Sequence, residues 1–164
     1  MDKEQVTAHI PRLRRYARAL AGDRYQADDL VQDTLERALS KFHLWRPGSD
    51  LRAWLFAIMH NVFINQLKSR REYVLDEALE AGLEAAPQAD MLEIRDLDTA
   101  LRHLSHQQRE VVLLVGLEQF SYAEAGKALD IPVGTVMSRL SRGRERLRAV
   151  MSGTAVVTNL KVVK

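Results

Sequence analysis

The sequence predicts an all-α protein of two small helical domains joined by an acidic flexible linker, the C-terminal one a helix-turn-helix. Three observations predict it. Apolar residues recur at three- and four-residue spacing through both halves, and nothing alternates with period two before the tail. Charge is segregated: residues 1–71 hold 13 Lys and Arg against 8 Asp and Glu, residues 72–98 one against nine, and residues 99–164 ten against five. A −8 strap therefore separates two +5 blocks inside a net charge of only +2. Gly82, Pro87 and the small residues around Ala85–Ala86 fall within that strap, the composition of a linker with weak helical character, whose early part, Val74–Leu83, could still form a short helix. The expected division is 1–71, 72–98, 99–151 and a tail, 152–164.

Composition narrows the chemistry. At 164 residues the chain makes one ordinary domain or two very small ones, and 46% apolar with 28% charged residues is a folding composition. With no cysteine, disulfides, thiol catalysis, Fe–S clusters and Cys-containing zinc sites are excluded. No apolar run approaches the ~18 residues that span a bilayer, so no membrane insertion is expected. The charged N-terminal stretch lacks the apolar core of a signal peptide, and a cytoplasmic location is expected. Two basic blocks suit a polyanion, while an acidic connector is repelled by the same polyanion.

In the first block, Gln5–Ala21 places Ile10, Leu13, Ala17 and Leu20 at helical spacing, with Pro11 tolerable near an end or as a kink and Gly22 closing the pattern. Gln26–Phe42 carries Leu30, Val31, Leu35, Ala38 and Leu39 as an apolar stripe, with Asp28, Asp29, Asp33 and Glu36 opposite. Those acids admit three readings: a magnesium site for a diphosphate-using enzyme, a solvated helix face, or a docking face for a basic partner helix. The first also needs a second ligand set and a large apolar cavity, which ~70 residues cannot enclose. Leu51–Arg71 has an apolar stripe wide enough for the central helix (Leu51, Trp54, Leu55, Ile58, Met59, Val62, Phe63). Asn61, Asn65 and Lys68 form a polar stripe that continues into Arg70 and Arg71. Amides can bond base edges, and a basic helix end can hold phosphates. The loop before it, Lys41–Ser49, sets Phe42 and Trp45 beside Lys41 and Arg46, a composition that stacks unpaired bases, although Phe42 is read as capping the core.

The second block opens with amphipathic helices over Leu97–Leu104 and His106–Glu118, Ser105 capping the latter. Ser121 with Glu124 then reads as a capping box. Ala125, Gly126 and Ala128 allow a close helix crossing, Asp130 suits a left-handed turn, and Pro132 suits the first turn of the next helix. On that last helix Val136, Leu140, Gly143, Leu147 and Val150 face inward, with Thr135, Ser138, Arg139 and Arg142 opposite. Five arginines (139, 142, 144, 146, 148) against Glu145 exceed what packing needs, as expected of a recognition helix in a major groove.

Three segments in this order resemble the extracytoplasmic-function (ECF) sigma factors of bacterial RNA polymerase, from about Gln5 to Met151. Ala27–Ala38 is similar to the helix with which that family grips the polymerase clamp; Leu51–Asn61 to the helix that, with its preceding loop, reads and melts the −10 element; Pro132–Leu147 to the −35 recognition helix. The resemblance implies core RNA polymerase, promoter DNA (duplex −35, melted −10 strand) and an anti-sigma factor as partners, with no catalytic site, cofactor or metal. It carries polymerase contacts onto Asp28, Asp29, Leu30, Val31, Gln32, Asp33, Leu35, Glu36 and Arg37. The −10 contacts fall on Trp45, Arg46, Asn61, Asn65, Lys68, Arg70 and Arg71. The −35 contacts fall on Thr135, Met137, Ser138, Arg139, Ser141, Arg142, Arg144 and Arg146. Met137 stands where many relatives carry a cation, and Ser141 where some carry an aromatic. Two rivals remain: a free-standing helix-turn-helix regulator, which would leave the Asp28–Arg37 match unused, and a small metal enzyme on the acidic face. The five histidines (9, 43, 60, 103, 106) offer the latter no HExxH pair.

Overall fold

The computed structural model describes residues 3–81 and 97–153, with side chains through position 70 in the first stretch. It comprises α1 (Lys3–Ala8), α2 (Ile10–Ala21), α3 (Arg24–Ser40), a 3-10 turn at Phe42–Leu44, α4 (Leu51–Ala81), α5 (Leu97–Leu101), α6 (His106–Gly116), α7 (Tyr122–Leu129) and α8 (Val133–Met151). No strand occurs among the described residues.

The first predicted helix is two, broken at His9, with Pro11 in the first turn of α2, where a missing N–H costs no bond. Gly22 ends α2 at φ +78°, its N–H donating to the Arg18 carbonyl. Asp23 then starts α3 by accepting from the Tyr25 N–H at 3.1 Å. The α-helix stops at Ser40, and the predicted last turn tightens into the 3-10 turn.

α4 is longer than expected. It passes position 71 and takes in the first ten residues of the acidic stretch. Charge marks a boundary there, but helix propensity does not: Glu, Leu and Ala continue the helix, and no Gly or Pro stands between Gly48 and Gly82. The rest of the predicted linker, the Arg71 side chain and the tail beyond Gly153 lie outside the described residues.

The second half follows its local signals closely. α5 ends at Leu101, three residues early, because Ser105 and Gln108 form a capping box that starts α6. Ser121 and Glu124 form the predicted box on α7, at 3.0 and 2.8 Å. Asp130 turns the chain in the left-handed region (φ 55°, ψ 49°). A Cβ at Gly126 would lie 2.9 Å from the Ile131 carbonyl oxygen, so a side chain there would push the turn off α7. Pro132 caps α8 from just outside it.

α2, α3 and α4 pack in sequence, and α8 packs on α6 and α7. The two halves also pack on each other, α4 against α7 and α2 against α6. The buried apolar side chains from Val6 to Leu140, Ala100 excepted, form one continuous cluster. Its aromatic spine crosses the junction: Tyr16 meets Phe56 edge-on at 5.1 Å, and Phe56 meets Phe120 at 5.4 Å. Separate cores of ~70-residue units would be marginal, and sharing buries more apolar surface than either could alone.

Candidate nucleic-acid interface

α8 presents a cationic outer surface because its inner one is fixed. Val136, Leu140 and Val150 are buried. A Cβ on Gly143 would stand 2.8 Å from the Val112 Cγ2, so α6 crosses α8 closely there. Outward lie Met137, Ser138, Ser141, Arg142 and Arg144, all exposed, with Thr135, Arg139 and Arg146 half-buried on the flanks. The predicted −35 residues therefore spread over the arc of α8 that the buried stripe leaves free, Arg139 and Arg146 toward one edge and Met137 and Arg144 toward the other.

The predicted −10 residues are split. Phe42 lies tilted against Trp45 at 5.5 Å and edge-on to Trp54 at 6.1 Å, consistent with its reading as a core cap. Trp45 is half-buried, and its buried indole N–H has no hydrogen-bond partner among the described residues. With Arg46, Asp50 and Trp54 it lines a cleft of about 490 Å³, closed on the far side by Glu124 and Lys127 of α7. Asn61, Asn65 and Lys68 form an exposed stripe on α4, away from that cleft's lining. Arg70 is half-buried and donates to the Gln66 Oε1 at 3.2 Å.

On α3, Asp28, Asp29, Gln32 and Glu36 are exposed, and Asp33, Leu35 and Arg37 are half-buried. Leu30 and Val31 are 0% and 5% exposed, core residues that hold the helix from behind. Helical period sets both on the side opposite Asp29, Gln32 and Glu36. Gln66 of α4, which the sequence did not single out, donates to Asp29 at 3.2 Å and to Asp33 at 2.8 Å. A neutral amide orients both carboxylates without cancelling their charge, which leaves an anionic surface for a cationic partner.

The junction between the halves holds the polar residues that the sequence did not reveal. Arg52, at the start of α4, donates to the Glu118 carbonyl oxygen at 3.0 Å and to the Glu124 carboxylate at 3.3 Å, with its guanidinium 4.4 Å from the Phe120 ring centre. Glu118, itself buried, pairs with Arg15 at 3.0 Å. Arg109 donates to the carbonyls of Leu20, Leu101 and Leu104, each at 2.9 Å. Arg102 donates to Leu20 at 2.9 Å and also to Ala19. Two cations thus close the carbonyl end of α2, where the helix dipole favours them. Burial and the neighbouring Arg102 charge lower the Arg109 guanidinium to about 10. His60 of α4 meets Glu110 of α6 at 2.5 Å. Burial raises the Glu110 carboxyl, opposed by the bond and charge of His60 and by the charges of Arg139 and Arg109.

No helix among the described residues is long and apolar enough to cross a membrane.

Known proteins match both halves. The family described as the Sigma2 domain of PhyR matches residues 6–60, and Sigma-70, region 4 matches residues 94–147. The chain is 40% identical over 152 residues to the ECF RNA polymerase sigma factor EcfG of Rhodopseudomonas palustris, covering 91% of this chain and 84% of that one. Its fold is similar to the sigma factor RpoE of Bartonella quintana, solved in complex with the anti-sigma factor NepR. The two agree at TM-score 0.78 and 36% identity over 92% of this chain and 96% of that one. It is also similar to CnrH, solved with the cytosolic domain of CnrY, at TM-score 0.68 and 27% identity over 92% and 86% of the two chains.

Proposed function

Because this chain belongs to the ECF RNA polymerase sigma factors, we propose that it joins core RNA polymerase in the cytoplasm and directs transcription initiation at promoters with matching −35 and −10 elements. The polymerase forms the bonds, and the chain itself is not an enzyme. The observation that carries the reading is α8: five arginines on the outer and flanking sides of a helix whose inner side locks onto α6 and α7. Such a helix suits a major groove, its arginines reaching phosphates and base edges.

Residues 1–71 carry the polymerase and −10 contacts, 72–98 the acidic connection, and 99–151 the −35 contacts. On α3, Asp28, Asp29, Gln32, Asp33 and Glu36 meet a basic helix of the polymerase, with Gln66 orienting the two central acids. Trp45 and Arg46, with Asn61, Asn65, Lys68, Arg70 and Arg71 along α4, hold the melted −10 strand. Tethering both units to one enzyme raises their effective concentration at DNA, so two weak contacts act as one specific contact. Melting is favoured because unstacked bases find aromatic and amide partners only once they leave the duplex. α7 lies across the Trp45 cleft, so the halves separate before that loop meets DNA. An anti-sigma factor that binds the packed arrangement better than the separated one holds the chain inactive by population shift; the similarity to RpoE, solved with NepR, supports this.

Capture of purified core RNA polymerase by the immobilised chain tests the docking step. Wild type retains the polymerase. The double variant Asp29→Ala/Asp33→Ala loses it, and Gln66→Ala, which frees the carboxylates without removing them, weakens it less. Retention by the double variant would place the docking face elsewhere.

A further inference from the structure

Val133 and Met137 stand one turn apart on α8, 43% and 51% exposed, Val133 on the flank turned to α7 and Met137 further out, and neither belongs to a core cluster. Single exposed apolar residues are ordinary on a protein surface. Two on one ridge of an otherwise cationic helix are less so. Beside Met137 the surface is open, since a Cβ added at Gly134 would meet nothing within 4 Å. The polar neighbour on this side is already engaged: the Ser138 hydroxyl donates to the Thr135 carbonyl oxygen at 3.2 Å. This part of the helix therefore offers a partner an apolar ridge, while the exposed Arg144 and Arg148, two and three turns further along the same side, supply the charge.

Of the groups that base pairs display in the major groove, one is apolar, the C5-methyl of thymine. We propose that Met137, backed by Val133, reads the methyl group of a thymine in the −35 element. One base pair is then specified by apolar contact and not by a hydrogen bond. Methionine suits the task, being long, unbranched and polarizable enough to follow the methyl's position. The inference rests on the proposed reading of α8 as the −35 recognition helix.

The test uses holoenzyme assembled from this chain and core RNA polymerase. A promoter library randomised over the −35 region is selected for binding, and each thymine of the winning sequence is then replaced, one at a time, by deoxyuridine. Deoxyuridine pairs alike but lacks the methyl. The expected result is a single position at which the change weakens wild-type binding about fourfold, the factor for one buried methyl group. Met137→Ala holoenzyme is expected to bind the thymine promoter correspondingly more weakly and to be indifferent to thymine or uracil at that position. Neither side chain is part of the core, so the variant keeps its fold, checked by an unchanged melting temperature. If no thymine methyl affects binding, or if the uracil effect persists unchanged in Met137→Ala, the proposal is overturned. If the library yields no preferred −35 sequence, the reading of α8 falls and the proposal with it, a result distinct from the other two.

Discussion

Replacing Arg52 by alanine is expected to loosen the two halves of the molecule without unfolding either. Its guanidinium makes three contacts across the junction: the Glu118 carbonyl oxygen at 3.0 Å, the Glu124 carboxylate at 3.3 Å and the Phe120 ring at 4.4 Å. The hydrogen bond from a charged donor is worth about 1.5 kcal/mol. The ion pair adds no more than about 0.5 kcal/mol, because the two side chains are 20% and 37% exposed and water screens them. The ring contact adds about 0.5 kcal/mol. Contacts sharing one side chain do not simply add, and a loss of about 2 kcal/mol is a fair total. That lowers the ratio of packed to separated halves roughly thirtyfold. The chain has no cysteine, so Tyr25→Cys with Arg148→Cys provides a unique pair of attachment points for dyes. Single-molecule energy transfer on the free protein should show one high-transfer population for wild type and an added low-transfer population for Arg52→Ala. Identical distributions would refute the assignment of Arg52 as a clamp.

The Arg15–Glu118 pair should respond asymmetrically. Arg15→Ala strands a carboxylate whose side chain is 0% exposed and should cost about 1–2 kcal/mol in denaturant unfolding. Glu118→Gln frees an arginine that is already 54% exposed and should stay within about 0.5 kcal/mol of wild type; equal costs would contradict the burial argument. Burial, then the charges of Glu110 and Glu118, raise the Tyr16 phenol well above its ordinary 10.0. The folded state keeps that proton where the unfolded chain releases it, so this contribution is intact below pH 10 and is lost as pH rises through the raised value. In an alkaline titration of tyrosinate absorbance, Tyr16→Phe should match wild type while folded and lose one of four tyrosines' amplitude once unfolded. An early loss in the folded state would place Tyr16 in water.

Legibility in the sequence tracked the range of the interaction. The Ser121–Glu124 box and the Asp130 turn are settled within a few residues, and the structure has them where local chemistry put them. The inward stripe of α8 was equally plain, because helical period alone assigns it. Leu30 and Val31 came with the matched segment as a whole, and the structure buries both behind the acidic face. Helix over Val74–Leu83 was legible, but not that it continues α4 without a break, because the change of charge at position 72 carries no change of helix propensity. The junction was not legible at all. Arg102 and Arg109 are two of 24 cations, and the acceptors that tie them to the first half are backbone carbonyls of α2, more than 80 residues away. No periodicity or motif records such a contact. Gln66 was missed for the same reason, since its role depends on α3 lying beside α4.

The central claim is that this chain gives RNA polymerase a promoter preference. The most direct measurement maps transcription start sites on a pool of bacterial upstream fragments with purified core polymerase, with and without the chain. The account predicts starts that appear only when the chain is present, share −35 and −10 sequences at a fixed spacing, and vanish with Asp29→Ala/Asp33→Ala. If the folded chain binds duplex DNA by itself yet adds no start site, the account is contradicted and the chain is a free-standing DNA-binding regulator.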